Sequence, residues 1–168
     1  LLATINLNAQ TLEWAKQIGG TDYDYGISVT TDGYGNVYTT GYFSGTTDFD
    51  PGVGTYNLTS SASSADIFIS KLDASGNFVW AKAIGSLSFD GGASIVVDVS
   101  GNVYTTGYFG ATADFDPGVG IFNLTTLTGN GGIFISKLDA SGIFVWAKSI
   151  EGDYAADQGA SIALDAFG

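Results

Sequence analysis

The chain has 168 residues, 45% of them apolar and 13% charged, which is enough for a packed core and too apolar for a disordered chain. Seventeen acids face five lysines, with no Arg and no His, and the resulting net charge of −12 repels nucleic-acid phosphates and anionic membranes while suiting cations, basic partners or neutral glycans. Without Cys there are no disulfides or thiolate sites, without His there is no Ser-His-Asp triad, and no apolar run is long enough to cross a membrane.

In chain order, Leu1–Leu7 matches the later Ile67–Asp73 and reads as a third strand of a repeating unit; its lack of a basic stretch argues against a signal peptide. "EWAKQI" around Trp14 reads as a fourth strand. "DYGISVTTD" (24–32) is a first strand and "GNVYTTGYF" (35–43) a second. Residues 44–65 carry "DFDPGVG" and then "YNLT", which is expected to add a short extra strand. "IFISKLDASG" (67–76) and "VWAKAI" complete the unit.

The same series then returns. Trp14, Trp80 and Trp146 are spaced 66 residues apart, "GNVYTTGYF" recurs at 101–109, and "DFDPGVG" at 48–54 recurs at 114–120. "DGGASIVVD" (90–98) and "DQGASIALD" (157–165) are further versions of the first strand, the last one shifted by a single insertion. A period of this size signals a solenoid, propeller or array. Within one period the predicted strands are Ser94–Asp98, Asn102–Phe109, Ile133–Leu138 and Phe144–Ile150. "DVSGN" (98–102) and "DASGN" (73–77) are turn sequences, with Asp capping the backbone and Gly supplying a left-handed position.

These strands are apolar on both faces: Ile67 and Ile69 oppose Phe68 and Leu72, and Val103 and Phe109 oppose Tyr104 and Tyr108. A sheet of this kind must be covered on both sides. Four-stranded antiparallel meanders stacked around an axis do that, so the expected class is an all-β propeller; a two-sheet sandwich is the runner-up, and a β-helix fits the period and the hairpin turns less well. "SIVVDVSGNVYTTGYF" followed by "IFISKLDASGIFVWAKSI" resembles the SBBP β-propeller repeat of bacterial secreted and surface proteins, over nearly the whole chain. The resemblance implies one blade per 66 residues, an extracellular or cell-surface setting and no enzymatic activity. The long segments 44–65 and 110–131 depart from that pattern.

The length amounts to about two and a half units, fewer than the roughly four to eight blades of a closed ring. The expectation is therefore one propeller segment: residues 1–25 end one blade, 26–91 form a second, 92–158 a third, and 159–168 begin the next. Its expected partners are other blades of the same protein, or copies of itself that complete a ring. Protein or glycan ligands come next.

Strand alternation places the loops leading into first strands on the same face as the loops between second and third strands. That face collects Asp22, Asp24, Asp66 and Asp90, with Glu151, Asp153 and Asp157 in the last copy, and also Asp48, Asp50, Asp114 and Asp116. Asp32, Asp73, Asp98, Asp139 and Asp165 fall on the other face. Asp48 and Asp50, and equally Asp114 and Asp116, stand where a calcium loop has its first two carboxylates, but Gly52 and Thr59 occupy its fifth and twelfth positions, so this is no EF-hand. The competing expectation is a Pro-Gly turn capped by the aspartates. Asp24, Asp90 and Asp157, in the D-x-G-x-S element, are expected to bond loop amides.

All five lysines recur with the repeat, and their expected role is to cover blade edges and meet carboxylates. The tryptophans are expected to pack between blades, with sugar stacking as the alternative. The functional expectation is a non-enzymatic interaction module. Its alternatives are a calcium-stabilised adhesive or glycan-binding propeller, and a carbohydrate-active enzyme using Asp/Glu pairs.

Overall fold

The computed structural model describes residues 12–61, 64–126, 131–150 and 157–165. The predicted strand at residues 1–7, together with Glu151 and Asp153, lies outside them. Every regular element described is a strand. Strands β2 (Asp24–Thr31), β3 (Val37–Ser44), β6 (Ala65–Leu72) and β7 (Phe78–Ile84) form an antiparallel sheet in that order. Strands β8 (Gly91–Val97), β9 (Val103–Phe109), β12 (Gly132–Leu138) and β13 (Phe144–Ile150) form a second sheet of the same order. Between second and third strands, each sheet carries a small hairpin: β4 (Thr46–Asp48) with β5 (Asn57–Thr59), and β10 (Thr112–Asp114) with β11 (Asn123–Thr125). The expected extra strand is thus β5 and its repeat β11. Strand β1 (Gly19–Gly20) adds to the edge of β4, and Gly85 bridges Asp114 in the same way one repeat later.

The tight turns form as their composition requires. In each of the four, the Asp Oδ1 accepts the amides two and four residues on: Asp32 from Tyr34 and Asn36, Asp98 from Ser100 and Asn102, and likewise Asp73 and Asp139. Gly101 closes its turn at φ 81°, where a Cβ would meet the following carbonyl. The predicted strand Ser94–Asp98 in fact begins at Gly91. Gly91 and Gly92 pair with Tyr108 and Gly107 ahead of a bulge at Gly92/Ser94. Two glycines carry no alternation to read, and they are needed because a Cβ on Gly91 would strike the Tyr108 ring and one on Gly92 the Thr40 hydroxyl.

Both faces of the first sheet are covered by apolar side chains, as the alternation predicts. Tyr38, Ile67, Ile69, Trp80 and Ile84 on one face join Ile95, Val103, Phe109, Phe134 and Leu138 of the second sheet in one core. Phe43, Phe68 and Ala81 on the other face gather Phe49 and, from the preceding unit, Ile18. Strand β8 packs on β2 and β3, so the sheets lie face to face with their innermost strands adjacent. Each contact recurs one repeat later. Ser28 Oγ accepts the Ile95 amide at 3.4 Å, and Ser94 Oγ accepts the Ile162 amide at 3.3 Å. Trp14 Nε1 donates to the Ala74 carbonyl at 3.0 Å, and Trp80 Nε1 to the Ala140 carbonyl at 3.3 Å. The molecule is a partial propeller of stacked blades. It is neither a two-layer sandwich nor a coil of rungs.

Candidate functional site

The DFDPG loops sit at the outer ends of the hairpins. Asp48 Oδ1 accepts the amides of Asp50 (3.0 Å) and Tyr56 (2.8 Å), and Asp114 Oδ1 accepts those of Asp116 (3.0 Å) and Phe122 (2.8 Å). Asp50 and Asp116 cap the next turn through the Gly52 and Gly118 amides, each at 2.8 Å. The aromatic residue between the carboxylates is the anchor. Phe49 packs against Phe43 and Phe68, and Phe115 against Phe109 and Phe134, with exposures of 1% and 0%. These four aspartates, the calcium candidates, each use an oxygen to close the loop around that anchor. Among the described residues no group of three or more carboxylates converges as a metal site.

The leading-loop aspartates tie neighbouring units together, as the sequence predicts. Asp24 accepts from the Gly20 amide and the Thr47 hydroxyl, both at 2.7 Å. Asp90 accepts from the Ser86 amide with one oxygen and the Gly110 amide, at 2.8 Å, with the other, while its own amide donates to the Ala65 carbonyl. Asp157 stands at the same place in the following copy. Asp90 is fully buried, and burial pushes its carboxyl up to about 6 against the pull of those amides, with the Asp66 charge adding to the rise. Asp66 is 3% exposed, receives the Ser61 amide, and leaves Oδ1 unbonded; burial raises it too. Gly132 holds its place one repeat later, so this acid pair belongs to one junction.

At the tight-turn end, Tyr38 OH donates to Asp32 Oδ2 and Tyr104 OH to Asp98 Oδ2. Burial opposes ionisation of Asp32 and Asp98, but the Asn, amide and Tyr bonds outweigh it and hold both below the usual carboxylate range. Lys71 lies 5.0 Å over the Tyr38 ring and Lys137 4.8 Å over the Tyr104 ring. These two ammonium groups meet rings where carboxylates were expected. Asp32, Tyr34, Lys71 and Asp98 border a groove of about 680 Å³ between the blades. The tryptophans pack as expected, Trp80 edge-on to Tyr38 and 8% exposed.

A row of rings at the loop end was not anticipated. Tyr25 stacks on Tyr42 at 4.9 Å, Tyr42 meets Phe89 edge-on at 5.0 Å, and Phe89 lies parallel to Tyr108 at 5.9 Å. Phe89 reaches from the leading loop of the second blade between two tyrosines that are the same repeat position in successive blades. Gly91 makes the room, since it faces Tyr108 where Tyr25 faces Tyr42. The signal in the sequence was the aromatic pair Tyr23 and Phe89, 66 residues apart.

Comparison with known proteins agrees with this architecture. The family described as a β-propeller repeat, SBBP, matches residues 13–51, from just before Trp14 to the first DFDPG. An uncharacterized WD repeat-containing protein of Acanthamoeba polyphaga mimivirus is 33% identical over 127 residues, which is 67% of this chain and 9% of that protein. The chain thus spans under a tenth of that relative's length. Residues 13–51 match the SBBP β-propeller repeat, and the two described four-stranded sheets share one strand order.

Proposed function

We propose that the chain is a non-enzymatic interaction module, a propeller segment of a larger secreted or cell-surface protein, which seats further blades on its faces and offers its loop end to partners. One observation carries this reading. Val29 on β2 is 65% exposed, while Ile95, the same position one repeat later, is 2% exposed beneath the preceding sheet. Among the described residues no sheet covers Val29 as the first sheet covers Ile95. The carboxylates speak against glycoside chemistry, because the paired acids Asp66 and Asp90 are buried away from any substrate and Asp24, Asp48 and Asp114 hold loops. The extracellular setting rests on the resemblance to the repeat family. Sedimentation velocity over a concentration series tests the seat: association of the chain, reduced by Val29→Asp, is expected. A chain that stays monomeric at every concentration and salt, or associates equally well as Val29→Asp, removes it.

A further inference from the structure

The ring row has a setting that selects its partner. It lies at the loop end, with Tyr25 and Tyr42 at the loop-side ends of β2 and β3, and Tyr108 at that of β9. Tyr25 is 47% and Phe89 50% exposed, so both rings reach solvent. Asp90 is close enough to Tyr108 for its charge to help raise that phenol to about 12, after burial and alongside Tyr42. Asp22, beside Gly45, and the hairpins that carry the DFDPG loops follow the same ends of β3 and β9. The cations are held elsewhere: Lys71 and Lys137 lie over Tyr38 and Tyr104 at the tight-turn end, and Lys16 and Lys82 lie beside the turn glycines Gly76 and Gly142. The molecule therefore sets partly exposed aromatic rings at an acidic end, with four of its five lysines drawn away from it.

Ring faces attract cations, and carboxylates around them deepen the attraction. We propose that the row Tyr25–Tyr42–Phe89–Tyr108 is a docking surface for an extended peptide segment rich in Lys or Arg, contributed by another protein. Three ring-to-ring steps match about four or five residues of extended chain at roughly 3.3 Å each. Alternate basic side chains would lie over the rings, and their heads would meet the surrounding acids. This surface is separate from the blade seat at Val29, although it rests on the same reading of the chain as an interaction module.

The test uses hexa-arginine as probe, with hexa-glutamate and maltohexaose beside it, followed by calorimetry and by the side-chain resonances of the four rings. Hexa-arginine is expected to bind, more weakly as salt rises, with shifts concentrated on the row. Phe89→Leu and Tyr25→Leu keep apolar bulk but remove ring faces, and each is expected to weaken binding about five- to tenfold. Asp73→Asn/Asp139→Asn at the far end is expected to leave it within about twofold. Equal losses at both ends, or no loss in the ring variants, would mean undirected attraction to a negative chain and overturn the proposal. Binding of maltohexaose at the row in place of hexa-arginine would overturn it in favour of a glycan. If hexa-arginine fails while Val29-dependent association persists, the docking surface falls and the module reading stands.

Discussion

Asp90 gives the sharpest energetic handle on a blade junction. Its carboxyl is fully buried between the linker amide of Ser86 and that of Gly110, and burial, with Asp66 nearby, raises it from 3.8 to about 6. A group raised on folding stabilises the fold in its protonated form. That stability is fully present below the unfolded value near 4 and is lost as pH climbs through about 6. The rise is worth about 3 kcal/mol in total, of which roughly 2 to 3 kcal/mol disappears between pH 4 and 7. Asp66 is raised in the same direction, while Asp32, Asp73 and Asp98 are lowered and gain stability with pH, so the whole-protein profile mixes both signs. The comparison that isolates Asp90 is urea unfolding of the wild type and Asp90→Asn, followed by tryptophan fluorescence from pH 4 to 7. The stability advantage of the wild type over the variant should shrink by that amount as pH rises. A difference that is flat or grows with pH would refute the buried junction.

Phe115→Ala should cost about 3 to 5 kcal/mol, since Phe115 fills the space between Phe109 and Phe134, whereas Val119→Ala, at a fully exposed tip, should change urea stability by less than about 0.5 kcal/mol. Asp114→Ala removes the acceptor for two loop amides and should cost about 1 to 2 kcal/mol; Asp114→Asn keeps a carbonyl oxygen there and should recover most of it, in thermal melts that are the same with calcium and with chelator. A calcium-dependent rise in melting temperature that Asp114→Asn abolishes would reverse the assignment of the loop to a capped turn. Gly101→Ala, at φ 81°, should cost about 1 kcal/mol or more, while Ala140→Gly, in the neighbouring turn, tests whether crowding there matters.

The architecture was open to reading because its determinants are periodic. Trp14, Trp80 and Trp146 mark the unit, Ile67 and Phe68 show a strand apolar on both sides, and Asp98 with Gly101 writes its own turn. What escaped depends on distances between units. Phe49 and Phe115 looked like loop residues between two acids, and only the stacked sheets reveal the pocket that buries them. Asp24 and Asp90 share a motif, yet Asp90 is fully buried and Asp24 half-buried. Phe89 falls in a loop with no strand pattern, and its place between Tyr42 and Tyr108 depends on the room that Gly91 leaves opposite Tyr108. Lys71 and Lys137 were expected beside carboxylates, but the cross-strand neighbours of these lysines include Tyr38 and Tyr104, and the ring faces are nearer.

The central claim is that consecutive 66-residue units stack face to face, with Trp14 and Trp80 each resting on the next unit's turn. A nuclear Overhauser spectrum of the isotope-labelled chain reads this directly. The account predicts cross-peaks from the Trp80 indole to Ala140 and Gly142, together with contacts between Gly92 and Thr40 across the same junction. Strong intra-unit strand contacts with none of these inter-unit peaks would contradict it.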